Sequence, residues 1–185
     1  MNKEQTNWAK TTILSYKHLG VICDAIDKLV ETIATKSFYT STKFLEINSI
    51  HSVSKRIIAL TDKKIDYINL KVLIEKIFTK LKPKRAKVLV LKYIHNISVE
   101  KIQEVLNISY RSCYRALKMG IEDFASLMIK FGYTNEKMEV LFNGDEFLNS
   151  IYKSITTERC YKCDDIDNIN VNPVGYISLI AKQIN

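Results

Sequence analysis

Hydrophobic residues recur at steps of three and four along most of the chain, and this pattern predicts an all-α fold. In the first helix, expected from about Trp8 to Ile33, they form a heptad-spaced seam of Leu19, Ile22, Ile26, Leu29 and Ile33. Well-suited residues fill only about two heptads of this seam. An intramolecular helix hairpin and a dimeric coiled coil therefore both stay open.

The polar segment 35–49, rich in Ser and Thr, predicts a loop after this helix. A second helix is expected from near Ser49 toward Phe78. Its apolar stripe is Ile50, Val53, Ile57 and Leu60, continued by Ile65, Ile68, Val72 and Ile77. The two helices together predict a helical hairpin over residues 1–79, with dimerisation as an open role.

Three shorter helices are predicted between residues 80 and 120. Pro83 suits the first turn of a helix of about three turns, whose apolar residues are Leu81, Val88, Leu89, Leu91, Tyr93 and Ile94. Ser98 is the expected N-cap of a very short helix that buries Val99, Ile102, Val105 and Leu106. Asn107 ends that helix, Ile108 fills the core, and Ser109 caps a third helix, from about Tyr110 to Met119. Cys113, Ala116 and Leu117 face inward, and the order of elements predicts a helix-turn-helix.

Residues 121–185 are expected to be a helical extension. Ile121, Phe124, Leu127, Met128 and Phe131 continue an apolar face, and one or two further helices break near Asn143-Gly144. A loose polar segment follows near 156–173, and the apolar end, VGYISLIAKQIN, suits a short terminal helix. Packing, dimerisation and binding of a protein partner are three open roles for this extension.

Charge is distributed unevenly along the chain. The formal net charge is +8, and residues 80–120 alone have ten basic and two acidic side chains, whereas residues 121–185 have six and ten. A compositional bias toward lysine would spread the charge evenly. A local excess of this kind is typical of a surface that binds a polyanion.

The predicted helix-turn-helix and the basic cluster coincide, which points to double-stranded DNA. The third helix, about 110–119, would enter the major groove. The candidate base-reading residues are Tyr110, Arg111, Ser112, Tyr114 and Arg115. The candidate phosphate-binding residues are Lys82, Lys84, Arg85, Lys87, Ser109 and Lys118.

The stretch LKPKRAKVLVLKYIHNISVEKIQEVLNISYRSCYRAL resembles the fourth conserved region of bacterial sigma factors. The matching positions are Leu81, Pro83, Arg85, Val88, Leu89, Leu91, Tyr93, Ser98, Glu100, Ile102, Leu106, Ile108, Ser109 and Arg115 to Leu117. Cys113 and Ala116 depart from the larger aliphatic residues usual there. The polar residues of the third helix also differ, so no promoter sequence carries over.

No segment resembles the sigma region that melts promoters. The layout of a long helix, a Ser/Thr-rich loop, a second helix and a sigma-like helix-turn-helix is instead similar to phage-encoded transcription regulators of the ArpU type. The patterns of helices and charge predict three parts: a hairpin (1–79), a DNA-binding helix-turn-helix (80–120) and a helical, acidic extension (121–185), the last of which fits neither resemblance. The resemblance implies a transcription regulator, with contact to RNA polymerase as an open role.

Other functions have weaker support. A module that docks on RNA polymerase or another regulator without reading bases is the main alternative, and RNA binding through Tyr110 and Tyr114 is a third. No catalytic or phosphate-loop motif occurs, so neither an enzyme nor a cofactor is expected.

Metal and membrane sites are also not expected. The Cys160–Cys163 pair supplies only half a zinc site, and Asp164, Asp165 and Asp167 lack a full calcium-loop pattern. Without an export signal or a long apolar run, the chain is expected to be cytoplasmic, with its thiols reduced. A homodimer stays open, through the first helix or the acidic extension.

Overall fold

The computed structural model describes residues 2–41 and 47–157, and every regular element in these ranges is helical. The all-α prediction is therefore confirmed. The seven α-helices are α1 (Lys3–Ser41), α2 (Ile47–Lys80), α3 (Pro83–Leu89), α4 (Val99–Leu106), α5 (Tyr110–Lys130), α6 (Asn135–Phe142) and α7 (Glu146–Thr157). A π-helical turn, Val90–Ile94, follows α3. Within the described ranges, no helix is long and apolar enough to cross a bilayer.

The two long helices extend further than their sequence patterns predict. Helix α1 continues past Ile33 to Ser41, and α2 begins at Ile47 and ends at Lys80. The predicted loop over 35–49 is thus wrong at both ends, and residues 42–46 lie outside the described residues. The hydroxyls of Thr32 and Thr35 donate to the carbonyls of Lys28 and Glu31, at 2.7 and 2.8 Å. These threonines therefore sit within the helix and do not end it.

The described residues divide into two compact units. Residues 18–41 and 47–70 form one of them. Its core contains Leu19, Ile22 and Ile26 of α1 and Leu60, Tyr67 and Leu70 of α2, all at most 1% exposed. The Lys64 ammonium donates to the Asp27 carboxylate at 2.6 Å and joins the two helices. The first three residues of the α1 seam are therefore buried within a hairpin of the chain itself, whereas Leu29 and Ile33 are half-buried.

Residues 2–17 and 71–157 form the other unit. The Trp8 and Tyr152 rings lie 4.4 Å apart, and the Gln5 side chain donates to the Tyr133 carbonyl at 3.3 Å. Trp8 is buried, as are Phe142, Phe147, Leu148 and Ile151 of the last two helices. Three roles were open for the acidic extension: packing, dimerisation and binding of a protein partner. For residues 121–157 the structure shows packing within the chain. The predicted terminal helix and residues 158–173 of the polar segment lie outside the described residues.

Helix α5 continues without a break through the boundary predicted at residue 120. The predicted recognition helix and the apolar face that follows it thus belong to one helix, with Ile121, Phe124 and Met128 buried. The break at Asn143-Gly144 is confirmed, because α6 ends at Phe142 and α7 begins at Glu146. The three-part domain division itself stays a prediction.

The apolar stripe predicted for α2 is wrong at four positions. Ile50, Ile65, Ile68 and Val72 are 47%, 49%, 42% and 55% exposed. Leu60 and Ile77 are buried as predicted, and the other buried positions are Tyr67, Leu70, Leu73 and Ile74. Because α2 has apolar residues on two opposite sides, its periodicity alone does not show which side enters the core.

Candidate nucleic-acid interface

The tripeptide Asn-Ile-Ser occurs twice and builds both boundaries of α4. Asn96 and Asn107 have positive φ angles of 53° and 48°, a conformation that Asn tolerates better than most residues. Ser98 caps α4 by accepting from the Lys101 N–H at 3.4 Å, and Ser109 caps α5 by accepting from the Ser112 N–H at 3.3 Å. Both predicted N-caps and the predicted end at Asn107 are confirmed.

The helix predicted to precede this motif ends in a π turn. The His95 N–H donates to the Val90 carbonyl at 3.0 Å, five residues back. Lys92 lies in this turn and is only 2% exposed, so it is removed from the basic surface. The regular helical period places Lys92 between Val88 and Leu89 on the buried side, so the pattern agrees with this burial although lysine is rarely buried.

The buried row that supports the motif largely matches the sequence prediction. Cys113, Ala116 and Leu117 are at most 8% exposed, and Val88 and Leu89 are fully buried. The prediction for Val105 is wrong, because this residue is 64% exposed. Val99 and Ile102 are buried on α4 while Leu106 is half-buried, and Val105 lies off that row by about a quarter turn.

Helices α3 and α5 approach each other closely at Gly120. A Cβ atom at this position would lie 3.1 Å from both Cγ and Cδ1 of Leu89. The Arg85 guanidinium forms an ion pair with Asp123, and its Nη2 lies 3.5 Å from the Met119 sulfur. These contacts fix α5 against α3 immediately after Lys118.

Most of the predicted base-reading residues share one exposed face of α5. Arg111, Arg115 and Lys118 are exposed and lie on the side opposite the buried row. Tyr110 is 49% exposed, and its ring lies 4.5 Å from that of the half-buried Tyr114, at an interplanar angle of 49°. Ser112 is half-buried and lies away from the centre of this face. We call Tyr110, Arg111, Tyr114, Arg115 and Lys118 the recognition face.

The predicted phosphate-binding residues fall into three groups. Lys82, Lys84 and Lys87 are exposed at the N-cap, in the first turn and in the last turn of α3. Ser109 accepts a backbone N–H as the cap of α5, which leaves its hydroxyl hydrogen able to donate to a phosphate. Arg85 is half-buried and engaged with Asp123, so it positions the helices. Its role as a phosphate ligand stays a prediction.

Two exposed basic residues of the same stretch were not among the predicted site residues. Lys80 ends α2, and Lys101 lies in the first turn of α4. Eight of the ten basic side chains in residues 80–120 are exposed, all except Arg85 and Lys92. Both lysines contribute to the charge excess of residues 80–120, but they lie on α2 and α4. The predicted site residues lie on or next to α3 and α5.

The first turn of α4 contains Glu100, whose carboxyl group has a lowered pKa. Hydrogen bonds from its own backbone N–H and from the Ser98 hydroxyl hold the pKa of the exposed Glu100 below its usual value, and the charge of Lys92 contributes in the same direction. A carboxylate at a helix N-terminus also interacts favourably with the helix dipole. Glu100 therefore helps to hold the beginning of α4 in place.

Metal ligands are not assembled in the described part of the chain, where no group of three or more His, Cys, Asp or Glu residues could hold an ion. Cys113 is buried and Cys23 is half-buried. Cys160, Cys163 and the Asp164, Asp165 and Asp167 cluster lie outside the described residues.

A comparison with known families finds one match. Residues 71–123 match the family model described as sigma-70, region 4, which covers a little under a third of the chain. No curated protein and no solved structure gives a significant match. The matched segment runs from the last turns of α2 to Asp123, and thus includes the helix-turn-helix, the recognition face and the Arg85–Asp123 pair. The match indicates a DNA-binding helix-turn-helix of the sigma region-four kind.

Proposed function

We propose that the protein is a transcription regulator that reads a specific sequence in double-stranded DNA, with residues 110–119 of α5 in the major groove. The observation that carries the proposal is the recognition face, which projects from a helix fixed by its caps, by Gly120 and by the Arg85–Asp123 pair. Regulation needs neither catalysis nor a cofactor in this proposal.

The two arginines supply the base-reading chemistry. Arg111 and Arg115 are one turn apart, about 6 Å along the helix axis, so they can reach neighbouring base pairs. An arginine can donate two hydrogen bonds to guanine O6 and N7. We therefore expect guanines to dominate the selected motif, with each arginine contributing about 1–3 kcal/mol of discrimination.

The lysines supply affinity without sequence preference. Lys82, Lys84 and Lys87 lie along α3, which meets α5 just after Lys118, and this position suits binding to the DNA backbone flanking the groove. Removing one lysine–phosphate interaction should reduce the slope of log affinity against log salt concentration by about 0.9. Replacing Lys82 and Lys84 with Ala should therefore lower affinity and the salt slope while the selected motif stays the same.

The test is selection from a random pool of duplex DNA at two salt concentrations. The variant Arg111→Ala/Arg115→Ala should lose the motif and keep weak, salt-sensitive binding. The matched control is Lys130→Ala/Lys153→Ala, which removes the same charge from exposed positions outside the recognition face. If the wild type selects no motif, or the control loses it as the arginine variant does, base reading by this face is wrong.

Docking on a protein is the alternative, and one observation favours it. Val105 is an apolar residue, 64% exposed, on α4 of the motif, and such a residue suits a protein contact with RNA polymerase or another regulator. In this case Val105→Lys should abolish capture of the partner, whereas Arg111→Ala/Arg115→Ala should not. An RNA pool run beside the DNA pool tests the third hypothesis, RNA binding.

A further inference from the structure

Helix α2 has a second apolar face. Ile50, Ile58, Ile65 and Ile68 are 47%, 59%, 49% and 42% exposed, and the helical period places them within about 80° of one another. The buried residues Leu60, Tyr67 and Leu70 lie on the opposite side of the same helix. We call the four isoleucines the outer stripe.

Isolated exposed apolar residues are normal on a protein surface. The outer stripe differs from them because its four members line one side of a single helix, with the exposed hydroxyls of Ser54 and Thr61 between them. It contributes four of the ten large apolar side chains that are exposed among the described residues. It extends over 18 residues, or about 27 Å, so its surface resembles a helix–helix contact more than scattered exposure.

The spacing suits another helix with the same pattern. Ile58 and Ile65 are seven residues apart and Ile68 follows three residues later, which are the a and d positions of a heptad. Ile58 and Ile65 occupy the a positions. Their β-branched side chains are common at a positions where two identical helices pack together. Beside the stripe, both Lys55 and Asp62 are exposed, so two facing copies do not present a uniform like charge.

Within the described residues, much of the α1 seam and of the acidic extension packs inside the chain. Leu19, Ile22 and Ile26 of the α1 seam are buried in the hairpin, and α6 and α7 pack with the first turns of α1. We propose that a second copy of this chain covers the outer stripe, so that α2 packs against α2 of its partner. A stripe about 27 Å long and one helix face wide buries on the order of 1,000 Å² in total, near the lower limit for a specific interface. A dimer in the micromolar range is therefore expected.

The experiment is sedimentation equilibrium of the full chain between about 1 and 200 μM, under reducing conditions so that thiols do not cross-link it. Ile58→Lys/Ile65→Lys should raise the dissociation constant about 100-fold or more, because the dimer loses four isoleucines that are each about half-buried in the monomer and each contributes about threefold or more. The control Ile129→Lys/Val140→Lys changes two exposed apolar residues, 46% and 79% exposed, away from the stripe. It should dimerise like the wild type.

Circular dichroism of each variant separates a defect in association from a defect in folding. If the double variant loses helicity, the milder Ile65→Gln takes its place, with a smaller rise in the dissociation constant expected. A wild type that stays monomeric at the highest concentration overturns the proposal, and so does a dimer that the stripe substitutions leave unchanged. A monomeric wild type that the substitutions destabilise would mean that another part of the same chain covers the stripe, which also overturns it. None of these outcomes depends on DNA binding.

Discussion

Replacing Gly120 with Ala should destabilise the protein, although the same change stabilises most helix interiors. Ala exceeds Gly in helix propensity by about 1 kcal/mol. At Gly120 the new methyl group would lie 3.1 Å from two atoms of Leu89, a side chain that is fully buried, and 3.5 Å from Cβ of Arg85. Neither neighbour moves easily, because Leu89 is packed on all sides and Arg85 is held by Asp123.

Overpacking of this kind typically costs about 1–3 kcal/mol, so the net decrease in unfolding free energy should be about 1 kcal/mol after the propensity gain. Gly20 is the matched control, since it lies inside α1 and an added Cβ meets nothing within 4 Å. Gly20→Ala should raise the unfolding free energy by about 1 kcal/mol. The two variants should therefore differ by about 2 kcal/mol in urea unfolding followed by circular dichroism.

The close approach of Gly120 to Leu89 also predicts how substitutions at these two positions combine. In a Leu89→Ala background the space is free, so Gly120→Ala should no longer destabilise and the two changes should be non-additive. Gly120→Ala should also weaken DNA binding, because it moves α5 relative to α3. If Gly120→Ala and Gly20→Ala stabilise the protein equally, the close approach of the two helices does not limit packing and the reasoning fails.

Three other substitutions test the supports of the recognition face. Asp123→Asn removes the charged partner of Arg85 and should lower the unfolding free energy by about 1 kcal/mol, a modest value because Asp123 is partly exposed; this decrease should shrink at high salt. Ser109→Ala removes the cap of α5 and should cost about 1 kcal/mol in urea unfolding, whereas Ser126→Ala, in the same helix, should cost less. Glu100 has a folded-state pKa below its usual value of 4.5, so its contribution to stability is present above pH 4.5 and is lost as the pH falls through the lowered pKa. Glu100→Gln should therefore lower the melting temperature at pH 7 but not at pH 2, and an equal decrease at both would exclude ionisation as the cause.

Local chemistry explains why parts of the fold were predictable. The caps at Ser98 and Ser109, and the end of α4 at Asn107, depend on residues within three positions of each other, so the sequence shows them directly. The buried row of Cys113, Ala116 and Leu117 is also local, because one face of one helix defines it.

The remaining features depend on the choice of packing partner. The isoleucines of α2 are as apolar as the residues that enter the core, so only tertiary packing decides which side is buried. Arg85 and Asp123 are 38 residues apart, and nothing near either residue indicates that they pair. Lys92 occupies a position that the helical period places with buried Val88 and Leu89, but the charge of its side chain predicts exposure.

The unit that contains the recognition face combines the beginning of the chain with segments far along it. Asn135 donates to Glu4 at 2.9 Å across 131 residues, and Trp8 contacts Tyr152. During synthesis at about 5–20 residues per second, the first helical turns must wait on the order of 10–30 s for these partners. Residues 18–41 and 47–70 form their hairpin from neighbouring helices and can fold earlier. A ribosome-bound chain halted after α5 should thus hold a finished hairpin while the Trp8 ring still lacks its contact with Tyr152.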